Sequence, residues 1–155
     1  MSSISIDVEQ VYPGTELFRC VERTREEFLL IPTGRTIADY ESTHPGFTKG
    51  AMHFAALLES PNTKGVVGCV SVMIEEPGIG RVLQMATHDD FRGMGIGKQL
   101  LDTVEDWARG IGACDALMCH ARDEAAGFYK RCGWRKEGHL FEEAGIPHWR
   151  MRKSL

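Results

Sequence analysis

The sequence predicts a mixed α/β fold, α+β in arrangement, with a strand–helix–strand crossover in its second half. Three observations carry this. Apolar and polar residues alternate at Ile4, Ile6 and Val8. Three strand-like runs follow one another at hairpin spacing in the middle of the chain. After them the apolar spacing changes from two to between three and four, then back again. The 155 residues, 43% of them apolar, are enough for one compact core and short of two, so residues 1–155 are expected to form a single domain.

Each element has its own reason. The alternation at Ile4, Ile6 and Val8 predicts a first strand. Beyond Pro13-Gly14, the residues Leu17, Cys20, Val21, Thr24 and Phe28 share one face of an amphipathic helix. Residues 32–50 hold Pro32, Gly34, Pro45, Gly46 and Gly50 and are expected to be loop-rich, with room for a short helix. The runs His53–Leu58, Val66–Ile74 and Arg81–Thr87, separated by Pro61-Asn62 and Pro77-Gly78, predict an antiparallel meander. Between Gly97 and Gly110 a second helical face is formed by Leu100, Leu101, Val104, Trp107 and Ala108. Ala116–Ala121 is the next strand. A short helix over about Asp123 to Cys132 has a capping Asp and ends at Gly133. Trp134–Phe141 and His148–Lys153 close the order as two final strands.

Composition excludes several classes of function. The net charge of -4 lacks the basic surplus of a general nucleic-acid or anionic-membrane binder. No apolar run approaches the ~18 residues that span a bilayer. Met1 to Gln10, with Asp7 and Glu9, lacks a signal-peptide layout, so the expected address is cytoplasmic. Cys20, Cys69, Cys114, Cys119 and Cys132 contain no C-x-x-C pair. Cys114, Cys119 and His120 lie close together but lack a fourth ligand, so no metal site is expected.

The most informative segment is Arg92-Gly93-Met94-Gly95-Ile96-Gly97-Lys98, between a strand and an amphipathic helix. Glycines let the backbone turn tightly, and a helix start presents free N–H groups and a positive dipole end. A phosphate cradle and a plain strand–helix turn both fit. The P-loop pattern fails twice, because Arg92 stands where its first glycine belongs and Gln99 follows Lys98. The dinucleotide fingerprint fails because Lys98 or Leu100 occupies its third glycine position. What fits is Arg-x-x-Gly-x-Gly at Arg92, Gly95 and Gly97.

The stretch Gln84-Met85-Ala86-Thr87-His88-Asp89-Asp90-Phe91-Arg92-Gly93-Met94-Gly95-Ile96-Gly97-Lys98-Gln99-Leu100-Leu101 resembles the acetyl-CoA-binding motif of the GCN5-related N-acetyltransferase (GNAT) family. Ala125-Ala126-Gly127-Phe128-Tyr129-Lys130-Arg131-Cys132-Gly133-Trp134 resembles that family's late helix, in the family's order and at its separation. The resemblance is firm from about His53 onward and weak over residues 1–52. It implies a GNAT fold: a mixed central sheet of about six to seven strands, splayed between the fourth and fifth and flanked by about four helices.

The resemblance further implies an acyltransferase that moves an acetyl group from acetyl-CoA, as co-substrate, to a primary amine of a small molecule. Backbone groups of Met85, Ala86 and Thr87 would pair with the pantetheine arm as an added strand does. Gly93, Met94, Gly95, Ile96, Gly97 and Lys98 would hold the pyrophosphate, with Arg92 shaping the turn or touching phosphate. The competing readings are a surface Arg92 paired to Asp89 or Asp90 and a solvated Lys98 at the helix start. Tyr129 matches the family's general acid, protonating the departing thiolate, while Phe128 is the expected packing residue. For the amine's proton the sequence offers His148, in Gly145-Ile146-Pro147-His148, with a structural turn histidine as the competing reading. Glu142 and Glu143 are expected in solvent. Arg122 stands seven residues before Tyr129, where many members carry an asparagine, and its role stays open between cofactor contact, pocket wall and ion pair. Protein or peptide acetylation, a non-catalytic acetyl-CoA-binding domain and another acyl donor remain alternatives. A homodimer is compatible with the sequence.

Overall fold

The computed structural model describes residues 5–60 and 63–155. Ile4 and the Pro61-Asn62 separator lie outside the described residues. The strands are β1 (Ser5–Val11), β2 (Met52–Ser60), β3 (Thr63–Glu76), β4 (Gly78–Thr87), β5 (Cys114–Arg122), β6 (Arg135–Glu143) and β7 (Ile146–Ser154). The α-helices are α1 (Glu16–Arg25), α2 (Ile37–Thr43), α3 (Phe47–Gly50), α4 (Ile96–Ile111) and α5 (Ala126–Arg131). The strands form one sheet in the order β1-β2-β3-β4-β5-β7-β6. Neighbours run antiparallel except β4 and β5, which are parallel and joined through α4.

Local chemistry sets the boundaries. The Thr15 hydroxyl accepts from the Phe18 amide and starts α1. Thr36 and Asp39 exchange side-chain and backbone bonds at the head of α2, a capping box with Asp in the acidic position. Pro77 and Gly78 turn β3 into β4, with Gly78 at φ 80°. That is the left-handed geometry a tight type II turn asks of its third residue.

The core has layers on both faces of the sheet. Leu100, Leu101 and Val104 of α4 pack on Val70, Val82, Leu117 and Met151, with Tyr129 and Trp134 in the same cluster. On the opposite face Phe18 and Val21 of α1 pack on Ala55, Leu57 and Cys69. A third cluster joins Leu30, Tyr40, Phe47 and Ala51.

Two expectations need correction. Residues 32–50 are more ordered than their Pro and Gly content suggests, because the breakers sit at helix ends. Gly34 closes one turn at φ 76°, and Gly46 precedes α3 at φ 84°. Tyr40 and Phe47 then give these short helices an apolar anchor. Helix α1 does not run on to Phe28. It ends at Arg25 and widens into a π-turn over Glu26–Leu30. The wider turn lets Phe28 and Leu29 reach the α1 cluster while Leu30 joins Tyr40.

No helix among the described residues is long and apolar enough to cross a membrane.

Gly68 of β3 lies beneath the head of α4. A Cβ there would sit 2.9 Å from Ile96 Cγ2 and 3.2 Å from the Ala86 carbonyl oxygen. Gly68→Val should therefore lower stability by about 1–3 kcal/mol through overpacking, read as a fall in the urea midpoint. An unchanged midpoint would show that α4 is free to shift.

Candidate active site

The site begins with a mismatch in strand length. Ser71 pairs with Leu83 and Cys69 with Ala86, so β4 carries one residue more than β3 between these points. Gln84 takes a φ of 53°, rare for a residue with a side chain. Such a bulge bends its strand and strengthens the local twist. The β4–β5 ladder runs from Gly78↔Cys114 to Arg81↔Met118 and ends there. Strand β5 continues to Arg122, paired on its other edge with β7. Beyond Arg81 the two parallel strands diverge, and the β5-facing edge of Met85, Ala86 and Thr87 has no ladder partner. Ala86 is buried in the α1 cluster and Met85 packs on the main core, so this edge is backbone.

Strand β4 leads through a short 3-10 turn, Asp89–Phe91, to the head of α4. Gly93 and Gly95 take φ of 81° and 77°. Gln99 is the first amide to bond back, to the Gly95 carbonyl at 3.0 Å. The amides of Ile96, Gly97 and Lys98 therefore point out of the helix end without an intrahelical acceptor. The Ile96 side chain is buried, so only its N–H belongs to this surface. Met94 is exposed.

Three residues of the turn have immediate neighbours, and for Arg92 the partner is one of the two aspartates that its competing surface reading offers. Arg92 Nε donates to Asp89 Oδ1 at 3.0 Å, and Lys98 Nζ to Asp102 Oδ2 at 2.9 Å, both in solvent. A Cβ at Gly97 would lie 2.9 Å from Phe128 Cζ. Gly97 thus lets α5 pack against α4, a reason separate from any approach of phosphate.

On the α4–α5 face of the sheet, Tyr129 is 7% exposed and stacks edge-on with both Phe128 and Trp134. Phe128 is only half-buried, which reverses the expected division of labour between the two rings. The Tyr129 hydroxyl and the Cys119 thiol are hydrogen-bond neighbours. Burial first, then Cys119, pushes the phenol well above its ordinary 10. Burial also pushes the Cys119 thiol up to about 12. The phenol therefore keeps its proton across the accessible pH range, and Cys119 is no nucleophile near neutrality.

On the opposite face β5 presents Met118, His120 and Arg122, which pair with Arg152, Arg150 and His148 of β7. Phe141 of β6 pairs with His148 in turn. His148 is buried, and its Nδ1–H donates to the Ile146 carbonyl at 2.7 Å. That bond leaves Nε2 as the nitrogen turned to Glu143, 3.7 Å from Oε2. The other Glu143 oxygen lies 3.0 Å from His120 Nδ1, which itself lies 3.3 Å from Arg81 Nη2. His120 Nδ1 either donates to Glu143 or accepts from Arg81, never both at once. Hydrogen bonding from His120 is the leading cause that holds the Glu143 carboxyl below its ordinary value.

Glu143 is exposed, as expected, and its carboxylate is also paired with His120 of β5 and His148 of β7. The period-two alternation of Met118, His120 and Arg122 against buried Cys119 and Ala121 was the signal available for His120. Nothing local marked Glu143, whose partners lie 23 and 5 residues away. Among the described residues the Arg122 side chain makes no hydrogen bond or ion pair, which removes the ion-pair reading of its role. No group of three or more His, Cys, Asp or Glu side chains that could hold a metal occurs among the described residues.

A mixed sheet that opens between parallel fourth and fifth strands, beside a glycine-rich helix start, defines an acyltransferase-type fold. The acetyltransferase (GNAT) domain family matches residues 33–155, and the chain belongs to that family. YitI of Bacillus subtilis, an uncharacterized N-acetyltransferase, is 31% identical over 84 residues, 54% of this chain and 56% of its own. The chain spans about half the length of the curated relatives it matches. Among solved structures, an aminoglycoside 6'-N-acetyltransferase complexed with coenzyme A superposes with a TM-score of 0.74 at 12% identity, covering 96% of both chains. NAA60 of Arabidopsis thaliana, in complex with a bisubstrate analogue, gives 0.71 at 18% identity, covering 97% of this chain and 98% of its own. At these identities the likeness is one of fold.

The His120–Glu143 contact makes a pH prediction. A carboxyl lowered in the folded state contributes stability that is present above its ordinary value of 4.5 and lost as pH falls through the lowered one. A carbon NMR titration of Glu143 should give a midpoint below 4.5, and His120→Ala should return it upward. A wild-type midpoint at or above 4.5 would contradict the pairing.

Proposed function

We propose that this protein is an acetyl-CoA-dependent N-acetyltransferase, folded as one domain over residues 1–155, that acylates a primary amine of a small molecule by direct attack. The observation that carries the reading is the end of the β4–β5 ladder at Arg81↔Met118, with the free amides at the head of α4 alongside. The exposed backbone edge of Met85, Ala86 and Thr87 suits an amide-bearing arm entering as an added strand. The amides from Gly93 to Lys98, including Met94, Gly95, Ile96 and Gly97, suit a pyrophosphate. Arg92 and Lys98 contribute less in this reading, since each is already paired in solvent.

Acetyl-CoA supplies an activated carbonyl and a thiol leaving group. Tyr129 supplies the proton that the departing sulfur needs, from the α4–α5 face. Its raised pKa keeps it an acid at every working pH, so the alkaline limb of the rate profile does not report its ionisation. His148 Nε2, with Glu143 beside it, takes the proton from the attacking amine on the other face, directly or through water. The high thiol pKa of Cys119 speaks for direct transfer and against an acyl-enzyme on that sulfur. A small acceptor is favoured over an extended peptide because α2 and α3 cover the β3–β4 side, with Tyr40 and Phe47 buried beneath them.

Two outcomes test this. Gly95→Asp places a side chain at a φ of 77° and a carboxylate beside the free amides. Calorimetry should then show acetyl-CoA affinity lost, whereas Lys98→Ala weakens it less than about tenfold. Near-wild-type affinity in a folded Gly95→Asp protein would refute the cradle. Tyr129→Phe should lower turnover roughly ten- to a thousandfold, as expected for one general acid, with acetyl-CoA affinity nearly unchanged. Turnover held within about twofold, with a lower melting temperature, would make Tyr129 a packing residue.

A further inference from the structure

Three buried donors on the amine side of the sheet take no part in the chemistry above. Arg25, the last residue of α1, is 0% exposed. Its Nε donates to Oε1 of Gln84, the bulge residue of β4, at 3.2 Å. Its guanidinium carbon sits 5.2 Å from the Tyr40 ring centre and 4.9 Å from that of Phe47. Nη1 and Nη2 are buried and have no hydrogen-bond partner, and the same holds for the Tyr40 hydroxyl and for Arg81 Nε. Glu22 and Glu41 act on the Arg25 charge without forming an ion pair with it. A charge enclosed by aromatic rings, with two bonding edges unused, is costly to keep. The cation–π contacts offset only part of that.

These donors are linked to the proposed base through one strand. Arg81 and Gln84 are three residues apart in β4. Gln84 holds Arg25, Leu83 packs on the Tyr40 cluster, and Arg81 reaches His120 beside Glu143. A guanidinium offers parallel donors that match a planar carboxylate, and a phenol adds a third. We propose that the acceptor amine carries a carboxylate, received by Arg25 Nη1 and Nη2 with the Tyr40 hydroxyl, while its amino end lies toward Glu143. The assignment names the substrate class of the acetyl-transfer reading and rests on it. Access to the Nη atoms requires α2 and α3 to lift and then close over the carboxylate, since Tyr40 belongs to α2. Left-handed Gly34 lies two residues before the Thr36 cap of α2, and left-handed Gly46 caps α3.

The test is thiol release from acetyl-CoA with a series of ω-amino carboxylates from glycine to 6-aminohexanoate, each beside its carboxamide. For at least one chain length the carboxylate should exceed its amide in kcat/KM by about tenfold or more, the scale of a charge-assisted pair. Arg25→Met should erase that preference by raising KM with kcat held, and should melt no lower than wild type. Tyr40→Phe should move KM in the same direction by less. Amides equal to carboxylates throughout the series would overturn the proposal. So would an Arg25→Met protein that melts lower and loses both substrates alike, since Arg25 would then be a packing group. If acetyl-CoA binds and no amine is acetylated, the acetyl-transfer reading has failed. The anion site is then judged by melting of the acetyl-CoA complex with 6-aminohexanoate. A rise in wild type that Arg25→Met lacks upholds it, and equal shifts end it.

Discussion

The extra residue in β4 is the constraint from which the site follows. Without it β4 would stay in register with β3 and could remain alongside β5 to the end, as parallel strands in a closed sheet do. With Gln84 displaced to φ 53°, the strand bends after Arg81 and leaves β5 to pair with β7 alone. One edge of β4 is then backbone without a ladder partner, inside the sheet. Its amides and carbonyls are hydrogen-bonding groups with a demand for partners. A ligand that pairs as a strand is the simplest way to meet it. The same bulge turns the Gln84 side chain toward α1, where it meets Arg25.

The opening also separates two kinds of chemistry by the thickness of the sheet. Tyr129 and Cys119 lie on the α4–α5 face in an apolar setting that keeps both groups protonated. Glu143, His120 and His148 lie on the other face, where hydrogen bonds keep a carboxylate ionised. Environments that push the pKa values of titratable groups apart are how one fold provides an acid and a base at the same pH. The backbone cradle at α4 adds no titratable group to either side. It presents oriented amides, whereas the nearby cations are engaged in exposed pairs of small worth.

How much of this was legible in the sequence depends on range. The helix α4, the glycines before it and the order of strands were readable because periodicity and turn chemistry act over a few residues. Gly93 and Gly95 do take left-handed backbone, but Gly97 answers to Phe128, 31 residues downstream in sequence and adjacent only in the folded chain. Residues 32–50 misled because breakers counted as loop signals are the caps of short helices held by Tyr40 and Phe47. The Gln84 bulge left no mark, since Leu-Gln-Met reads as ordinary strand and the mismatch exists only against β3. Glu143 lies in solvent as its place near a turn suggests, but its contacts with His120 and His148 exist only once β5 and β7 come together.

In the proposed function the unpaired edge of β4 and the head of α4 together receive acetyl-CoA. Amide hydrogen exchange with and without the ligand tests it most directly. Slowed exchange concentrated in residues 85–87 and 94–98, with β1 and β6 unchanged, is the result this account predicts. Binding that leaves those two segments unprotected would contradict it.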